Sequence, residues 1–440
     1  MDDHRTLPAP SSLLSTRMPF EPLDYSHAAG SWIHLADGRR LLDASSGLVC
    51  VNIGHAHPHV LAAMERQARI ATFASAGALR PAVQEELAAR LTEAVGRPSD
   101  AVSLTSSGTS AVELAVSLAR LVQRGRGEEG RHRVLTARLG YHGNSTLALG
   151  LSGHRRRRPH PDDALGLAPA FDPPYPGHHR ACPFDTCRAE CVEEVVKALH
   201  EAGPETVAAV LIEPVNGTTG GAFTPPPGYL AALREACHRA GVLVVHDEVL
   251  TGLGRTGLPL GADHCPGGEA DLLVLSKGLS AGYHPVAAVL VAPEHAEVLR
   301  GGGRPLPLMG TMSATPLAAA TGLAVLDVLR EIGALAPGRV RGAEVGEAVR
   351  AATEGLAAVR RIRGVGYFHA VELRPGTQAA ALREAREAGL LLYPFNGFEA
   401  DGGGEGLIVA PPLTVTSDEI DFLTGALRGA LARTAPDRNP

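Results

Sequence analysis

Residues 271–278 read DLLVLSKG, and residues 285–292 shortly after them read PVAAVLVA. Each holds an apolar run too short for an independent helix and bounded by turn-forming residues, which predicts two buried strands. Working back along the chain, VLVVHDE (242–248), TVAAVLIEP (206–214), RVLTAR (133–138) and AVSLTSS (101–107) have the same texture. Between them lie stretches of helical periodicity, among them AVELAVSLARLV (111–122) and YLAALREACHRAG (229–241). Strands that are apolar on nearly every residue and separated by helices predict a mostly parallel sheet covered on both faces. The expected fold class is therefore α/β.

The flanks read differently. The first thirty residues look like an irregular lead-in. WIHLADGRRLLDA (32–44) predicts a β-hairpin turning at Asp37-Gly38, and residues 57–71 and 81–96 predict helices, with Pro58 in a first-turn position. After a long helix at 317–333, helical stretches at 340–356 and 378–388 flank short strands such as YFHAVEL (367–373). The tail TSDEIDFLTGALRGALART (416–434) reads as a helix capped by Thr416 or Ser417. The expected organisation is a large domain over 57–326 and a smaller α+β domain over 327–440, with the N-terminal segment 1–56 packing on the small one.

Composition sets outer limits. The 440 residues are 45% hydrophobic and 20% charged, with 41 basic and 47 acidic residues giving a formal charge of −6. That balance does not suggest nucleic acid or an acidic membrane as a partner. No apolar run of about 18 residues predicts a membrane span, and the N-terminus lacks the apolar core of a secretory signal, so a cytoplasmic location is expected. Six cysteines do not make a disulfide scaffold. Cys182, Cys187 and Cys191 follow His178 and His179, but the loose C-x4-C-x3-C spacing lacks a completing pair. Free thiols are expected there, and no metal. The run Arg155–Arg158 reads as a solvated loop.

In a doubly wound sheet, ligands bind beyond the carboxyl ends of the strands. The first strand ends in Thr105-Ser106-Ser107-Gly108-Thr109 before a helix, which suits an anion. The second leads into Gly140-Tyr141-His142-Gly143, where a ring can face a planar ligand. The third and fourth end in Glu213 and in Asp247-Glu248, carboxylates with little water that need partners or a helix cap. The fifth ends in Ser276-Lys277-Gly278. Lysine is almost absent from this arginine-rich chain; only Lys197 and Lys277 occur. A lysine at the edge of an apolar core has the setting of a nucleophilic amine. Together these residues describe a planar aromatic aldehyde phosphate: amine bond to Lys277, phosphate near Gly108, ring face to Tyr141, ring nitrogen to Asp247. That compound is pyridoxal 5'-phosphate (PLP).

The stretches SSGTSAVELA, GYHG, LIEPV, HDEVLTGLGRTG, ADLLVLSKGLSAGYHPVAAVL and APPLTVTSDEI also resemble the class III (ω) aminotransferases of PLP fold type I, from about Trp32 to Leu427. The resemblance implies Lys277 as Schiff-base lysine and proton shuttle, Asp247 on the pyridinium, and Val249 behind the ring. It implies Ser107, Gly108 and Thr109 on the phosphate, Tyr141 on the ring with His142 nearby, and Glu213 toward the substrate. Thr311, in MGTMSATP, matches a threonine that a neighbouring subunit gives to the phosphate, so a homodimer with shared sites is implied. Leu250 stands where the family often has glutamine. Val49 stands where many members carry tryptophan, and Ile408 where amino-acid-specific members carry an arginine.

The expected activity is a ping-pong transfer of an amino group between a primary amine or amino acid and a keto or aldehyde acceptor. The alternative is a racemase, decarboxylase or mutase of the same fold, since substrate orientation decides which bond breaks. A non-catalytic binding protein is disfavoured by the intact Lys277 and Asp247. Glu399, Asp401 and Glu405, ahead of Ile408, suggest an acidic entrance and an amine without a nearby carboxylate as substrate.

Overall fold

The computed structural model describes residues 21–75, 78–154, 171–172, 190–302, 306, 310–313, 315–336, 340–399 and 402–434. Three expectations fall outside them: the Arg155–Arg158 loop, Asp401, and the cysteine cluster apart from Cys191.

The chain opens with strands β1 (Tyr25–Ala29), β2 (Trp32–Leu35) and β3 (Arg40–Asp43), antiparallel neighbours with the expected hairpin between the last two. Gly38 sits at φ +89 in its turn, a conformation glycine adopts without penalty. The central sheet follows, built from β4 (Ala101–Thr105), β5 (Arg133–Thr136), β6 (Val207–Ile212), β7 (Leu243–Asp247), β8 (Leu272–Leu275) and β9 (Ala287–Val291). Their spatial order is β4-β9-β8-β7-β6-β5. Strands β5 to β8 pair in parallel, whereas β9 runs antiparallel to both β4 and β8. The sheet is thus mostly parallel, and five strands end at one edge.

The uniform apolarity of the strands has a direct cause. In β7, Leu243 and Val245 pack on one face with the helix Gly108–Gly125, while Val244 packs into the cluster on the other. Leu272 and Val274 of β8 split from Leu273 and Leu275 in the same way. With both faces covered, every side chain of such a strand is buried, each contributing about 1.5–3 kcal/mol.

The helix Pro316–Glu331 runs without a break through residues 326 and 327 and packs on the helices Pro58–Ile70 and Ala82–Ala94. Beyond it, β10 (Val359–Val365), β11 (Phe368–Leu373), β13 (Tyr393–Asn396) and β14 (Glu405–Val409) form an antiparallel sheet in the order β10-β11-β14-β13. A two-residue strand, β12 (Leu390–Leu391), pairs with β3 and joins the N-terminal sheet to this region. The last helix, Ser417–Arg433, is capped by Thr416, whose hydroxyl accepts from the Glu419 amide while the Glu419 carboxylate answers the Thr416 amide.

Arg255, from the GRTG stretch, stitches these parts together. It is fully buried and donates to the Pro411 carbonyl at 2.6 Å, to Asn52 Oδ1 at 2.8 Å and to Ser46 Oγ at 3.3 Å. Burial pulls its guanidinium down to about 10. Among the described residues no helix is long and apolar enough to cross a membrane.

Candidate active site

A cleft of about 270 Å3 opens where β4 to β8 end, lined by Ser107, Gly108, Thr109, Tyr141, His142, Glu213, Asp247, Val249 and Lys277, among others. Nine residues singled out from the sequence therefore meet in one place. The tenth, Thr311, is exposed and lies outside this lining.

Each arrives by the register of the sheet. Asp247 closes β7 opposite Val274 of β8, and Lys277 follows β8 by two residues. Glu213 follows Ile212, the last residue of β6, which pairs with His246. At one end of the cleft the helix Gly108–Gly125 begins. Ser107 caps it, with Ser110 returning the bond, and the first-turn N–H groups of Gly108 and Thr109 point out of the helix. A Cβ at residue 108 would lie 3.0 Å from Val249 Cγ1 and 3.2 Å from Val249 Cγ2. Glycine there lets the valine reach the start of the helix.

At the other end, His142 Nδ1 lies 2.8 Å from Asp247 Oδ2, with both side chains buried, and the Val249 amide donates to Asp247 Oδ1 at 3.1 Å. A proton on Nδ1 makes His142 a donor to the carboxylate. Glu248 next door does something else. Its carboxyl accepts from the Gly261 and Ala262 amides at 2.9 and 2.7 Å and from the Thr251 hydroxyl. Of the two neighbouring acids, Glu248 is thus the one that takes the end of a helical turn, leaving Asp247 to face the cleft.

Lys277 stands at φ +27, in the left-handed region, and starts a tight turn in which its carbonyl accepts from the Ala281 amide at 2.8 Å. A non-glycine residue held there is strained, as functional side chains often are. Glu213 receives three N–H donors: Tyr141 N at 3.2 Å and Asn216 Nδ2 at 2.9 Å on Oε2, and Gly217 N at 3.0 Å on Oε1. Burial nevertheless pushes its carboxyl up to about 7.

On the substrate side the structure places Ile408 and Val49 away from the cleft, and the expected acidic entrance needs correction. Ile408 does not face the cleft; it is fully buried between β11 and β13, packed with Phe395 and Phe398. The residue of β13 and β14 that reaches the cleft is Tyr393. Val49 is also buried in that apolar cluster, and its neighbour Leu48, 60% exposed, lines the opening instead. Ile408 is the register partner of Tyr393 and shares its face of the sheet, so position along that face decides this: Ile408 lies inside the apolar cluster and Tyr393 where that cluster meets the cleft. Nor do the described acids form a charged entrance. Glu399 pairs with Arg360, and Glu405 accepts the Thr377 and Gln378 amides at 2.7 and 2.8 Å. Leu250 does line the cleft. So do Thr218 and Ser276, which no sequence motif marked as ligand-facing.

The donor set fits PLP. Hydroxyls and open N–H groups at a helix N-terminus suit a phosphate dianion. A primary amine suits the aldehyde carbon, and a buried carboxylate steadied by His142 suits a protonated ring nitrogen.

Comparison with known proteins agrees. The profile of the aminotransferase class-III family matches residues 15–431. An ω-aminotransferase of Caulobacter vibrioides is 31% identical over 95% of both chains. An ornithine aminotransferase of Bordetella pertussis is 33% identical over 98% of both. The crystal structure of a PLP-bound amine transaminase from an uncultivated Pseudomonas species superimposes with a TM-score of 0.85, at 32% identity, covering 99% of this chain and 100% of that one. Sequence, cleft and relatives lead to one conclusion: this chain belongs to the class III aminotransferases and is a PLP-dependent transaminase.

Proposed function

We propose that Lys277 carries the cofactor and the reaction's proton, that Asp247 fixes the state of the ring nitrogen, and that the helix start at Ser107–Thr109 holds the phosphate. The observation that carries this is the meeting of Lys277, Asp247 and that helix start in one cleft. PLP, when bound, supplies a carbonyl for the incoming amine and a conjugated ring that takes up electrons from the substrate carbon. The residues do the rest. Lys277 Nζ would hold the cofactor's aldehyde carbon and, as a free amine, would be the base that accepts the proton leaving the substrate carbon. Asp247, held by His142 Nδ1 at 2.8 Å from its Oδ2, would be the partner of the ring nitrogen and would favour a proton there. Val249 and Tyr141 wall the ring space and exclude water.

Leu48, Val215, Leu250 and Tyr393 give the substrate side an apolar and phenolic character. A primary amine with an apolar substituent is the donor class this lining favours.

The proposal includes a homodimer with shared sites. Ser107 is exposed at the phosphate end, and Ile70, Leu79 and Met312 are exposed at 78%, 63% and 57%. A second chain would cover such surfaces, with Thr311 reaching the neighbour's phosphate. We assign the protein to the cytoplasm, where the thiols of Cys50, Cys237 and Cys265 stay reduced.

The test supplies PLP-loaded enzyme with apolar amines and a keto acid. Ketone and new amino acid should form in equal amounts. Stereoinversion or carbon dioxide release without ketone would overturn the reading.

A further inference from the structure

Resting on the transaminase reading above, we infer that Arg363 is a positioning residue for the reaction: it fixes both carboxyl oxygens of Glu213 through two parallel hydrogen-bond relays. Arg363 lies on β10, outside the residues that line the cleft.

The first relay runs from Arg363 Nη2 to the Gly220 carbonyl at 2.8 Å. The amide of the same Gly220 donates to Asn216 Oδ1, and Asn216 Nδ2 donates to Glu213 Oε2 at 2.9 Å. The second runs from Arg363 Nε to the Gly221 carbonyl at 2.8 Å. The Gly221 amide donates to the Gly217 carbonyl at 3.0 Å, and the Gly217 amide donates to Glu213 Oε1 at 3.0 Å. One planar guanidinium thus reaches two oxygens of one carboxyl by separate routes.

The anchor is firm. Arg363 Nη1 donates to Glu372 Oε2 at 2.7 Å, and Glu372 is buried. The guanidinium also lies 5.0 Å from the centre of the Phe398 ring. The loop is seated against the same sheet, since a Cβ at Gly221 would fall 2.5 Å from Phe395, and Gly221 sits at φ +72. Three donors in a fixed fork are what arginine supplies and lysine does not. A displacement of β10 therefore moves the loop that carries Asn216, Gly217 and the cleft-lining Thr218. The N–H groups on Glu213 favour its charged form and oppose the burial that pushes it up to about 7. Loosening them raises it further.

The experiment compares Arg363→Lys, Asn216→Ala and Glu213→Gln as PLP-loaded enzymes. Glu213→Gln identifies the limb of the kcat/KM profile, and the carboxyl band in infrared difference spectra, that belong to Glu213. Arg363→Lys should move both upward by about one pH unit, with kcat/KM at neutral pH down about fivefold and cofactor content unchanged. Asn216→Ala, which cuts one relay and leaves the Arg363 anchor intact, should move them in the same direction by less. A band that moves in an enzyme without transaminase turnover refutes the transaminase reading and supports the relay. A lowered melting temperature with limb and band unmoved in both variants makes Arg363 a strap between sheet and loop only, and overturns the inference.

Discussion

Replacing Asp247 by asparagine removes one charge from the cleft and changes little else, so its consequences can be worked through. The carboxylate accepts two bonds, from His142 Nδ1 at 2.8 Å and from the Val249 amide at 3.1 Å. Asparagine offers one acceptor oxygen and one NH2 group. The Val249 amide can only donate, so it keeps the oxygen. The NH2 group then faces His142 Nδ1, and the imidazole must move its proton to Nε2, which is buried without a hydrogen-bond partner among the described residues. The cost to folding is a charge-assisted bond exchanged for a neutral one plus a poorer tautomer, about 1–3 kcal/mol. The cost to the reaction is larger. Removing one partner of a buried ion pair costs about 3–5 kcal/mol. If that loss falls on the reaction path, turnover drops by between about a hundredfold and several thousandfold. The phosphate site and Lys277 are untouched, so cofactor content should stay within about twofold of the parent. The assay is single-turnover reaction of PLP-loaded Asp247→Asn with saturating amine, followed by cofactor absorbance, beside a thermal melt. Near-parental turnover, or an intact fold that no longer binds cofactor, would refute the reasoning.

Gly108→Ala puts a methyl group 3.0 Å from Val249 Cγ1, and this overpacking of about 1–3 kcal/mol should weaken PLP binding roughly tenfold or more, while the apo melting temperature shifts little because alanine favours the helix. Titration of apoenzyme with PLP, beside a melt, checks it. Ile408→Val should lower stability by about 0.5–1.5 kcal/mol with KM for the amine unchanged, whereas Tyr393→Ala should alter KM for the amine. Steady-state kinetics of both variants separate the buried position from the lining one. Glu213 and Glu248 are both pushed from 4.5 up to about 7, so between those values the folded chain holds protons that the unfolded chain has released. Stability from these two groups is therefore full below about pH 4.5 and declines as pH rises to about 7. Melts of Glu248→Gln from pH 5.5 to 8 should show a shallower decline than the parent.

Much of the fold could be read from local pattern because the sheet is buried on both faces. Strands such as 206–214 and 242–248 stand out as short, unbroken apolar runs with helices between them. The antiparallel course of β9 could not be read, since β8 and β9 are equally apolar and direction depends on the connection between them. The cleft was legible where chemistry and strand end coincide, as at Asp247 and Lys277. The resemblance singled out Asp247 over Glu248, and the structure gives the physical reason: Glu248 is taken up by the Gly261 and Ala262 amides and the Thr251 hydroxyl, while Asp247 is held by His142 and the Val249 amide. Substrate-side residues were the least legible. Val49 and Leu48 differ in function by which way a kinked segment points, whereas Ile408 and Tyr393, paired on one face of the sheet, differ by which of them borders the cleft. The Arg363 relays were invisible because they join residues some 140 positions apart through backbone groups of a glycine loop.

The measurement that bears most directly on the central claim is the site of cofactor attachment. Borohydride reduction of the PLP-loaded protein, followed by proteolysis and peptide mass spectrometry, should place the reduced pyridoxyl group on the peptide containing Lys277 at close to one per chain. Addition of an amine donor before reduction should abolish that label, since the amine displaces the lysine. Label on Lys197, which lies on the exposed side of the helix Glu193–Ala202, or label on Lys277 that an amine donor and all other amines leave unchanged, would contradict the account.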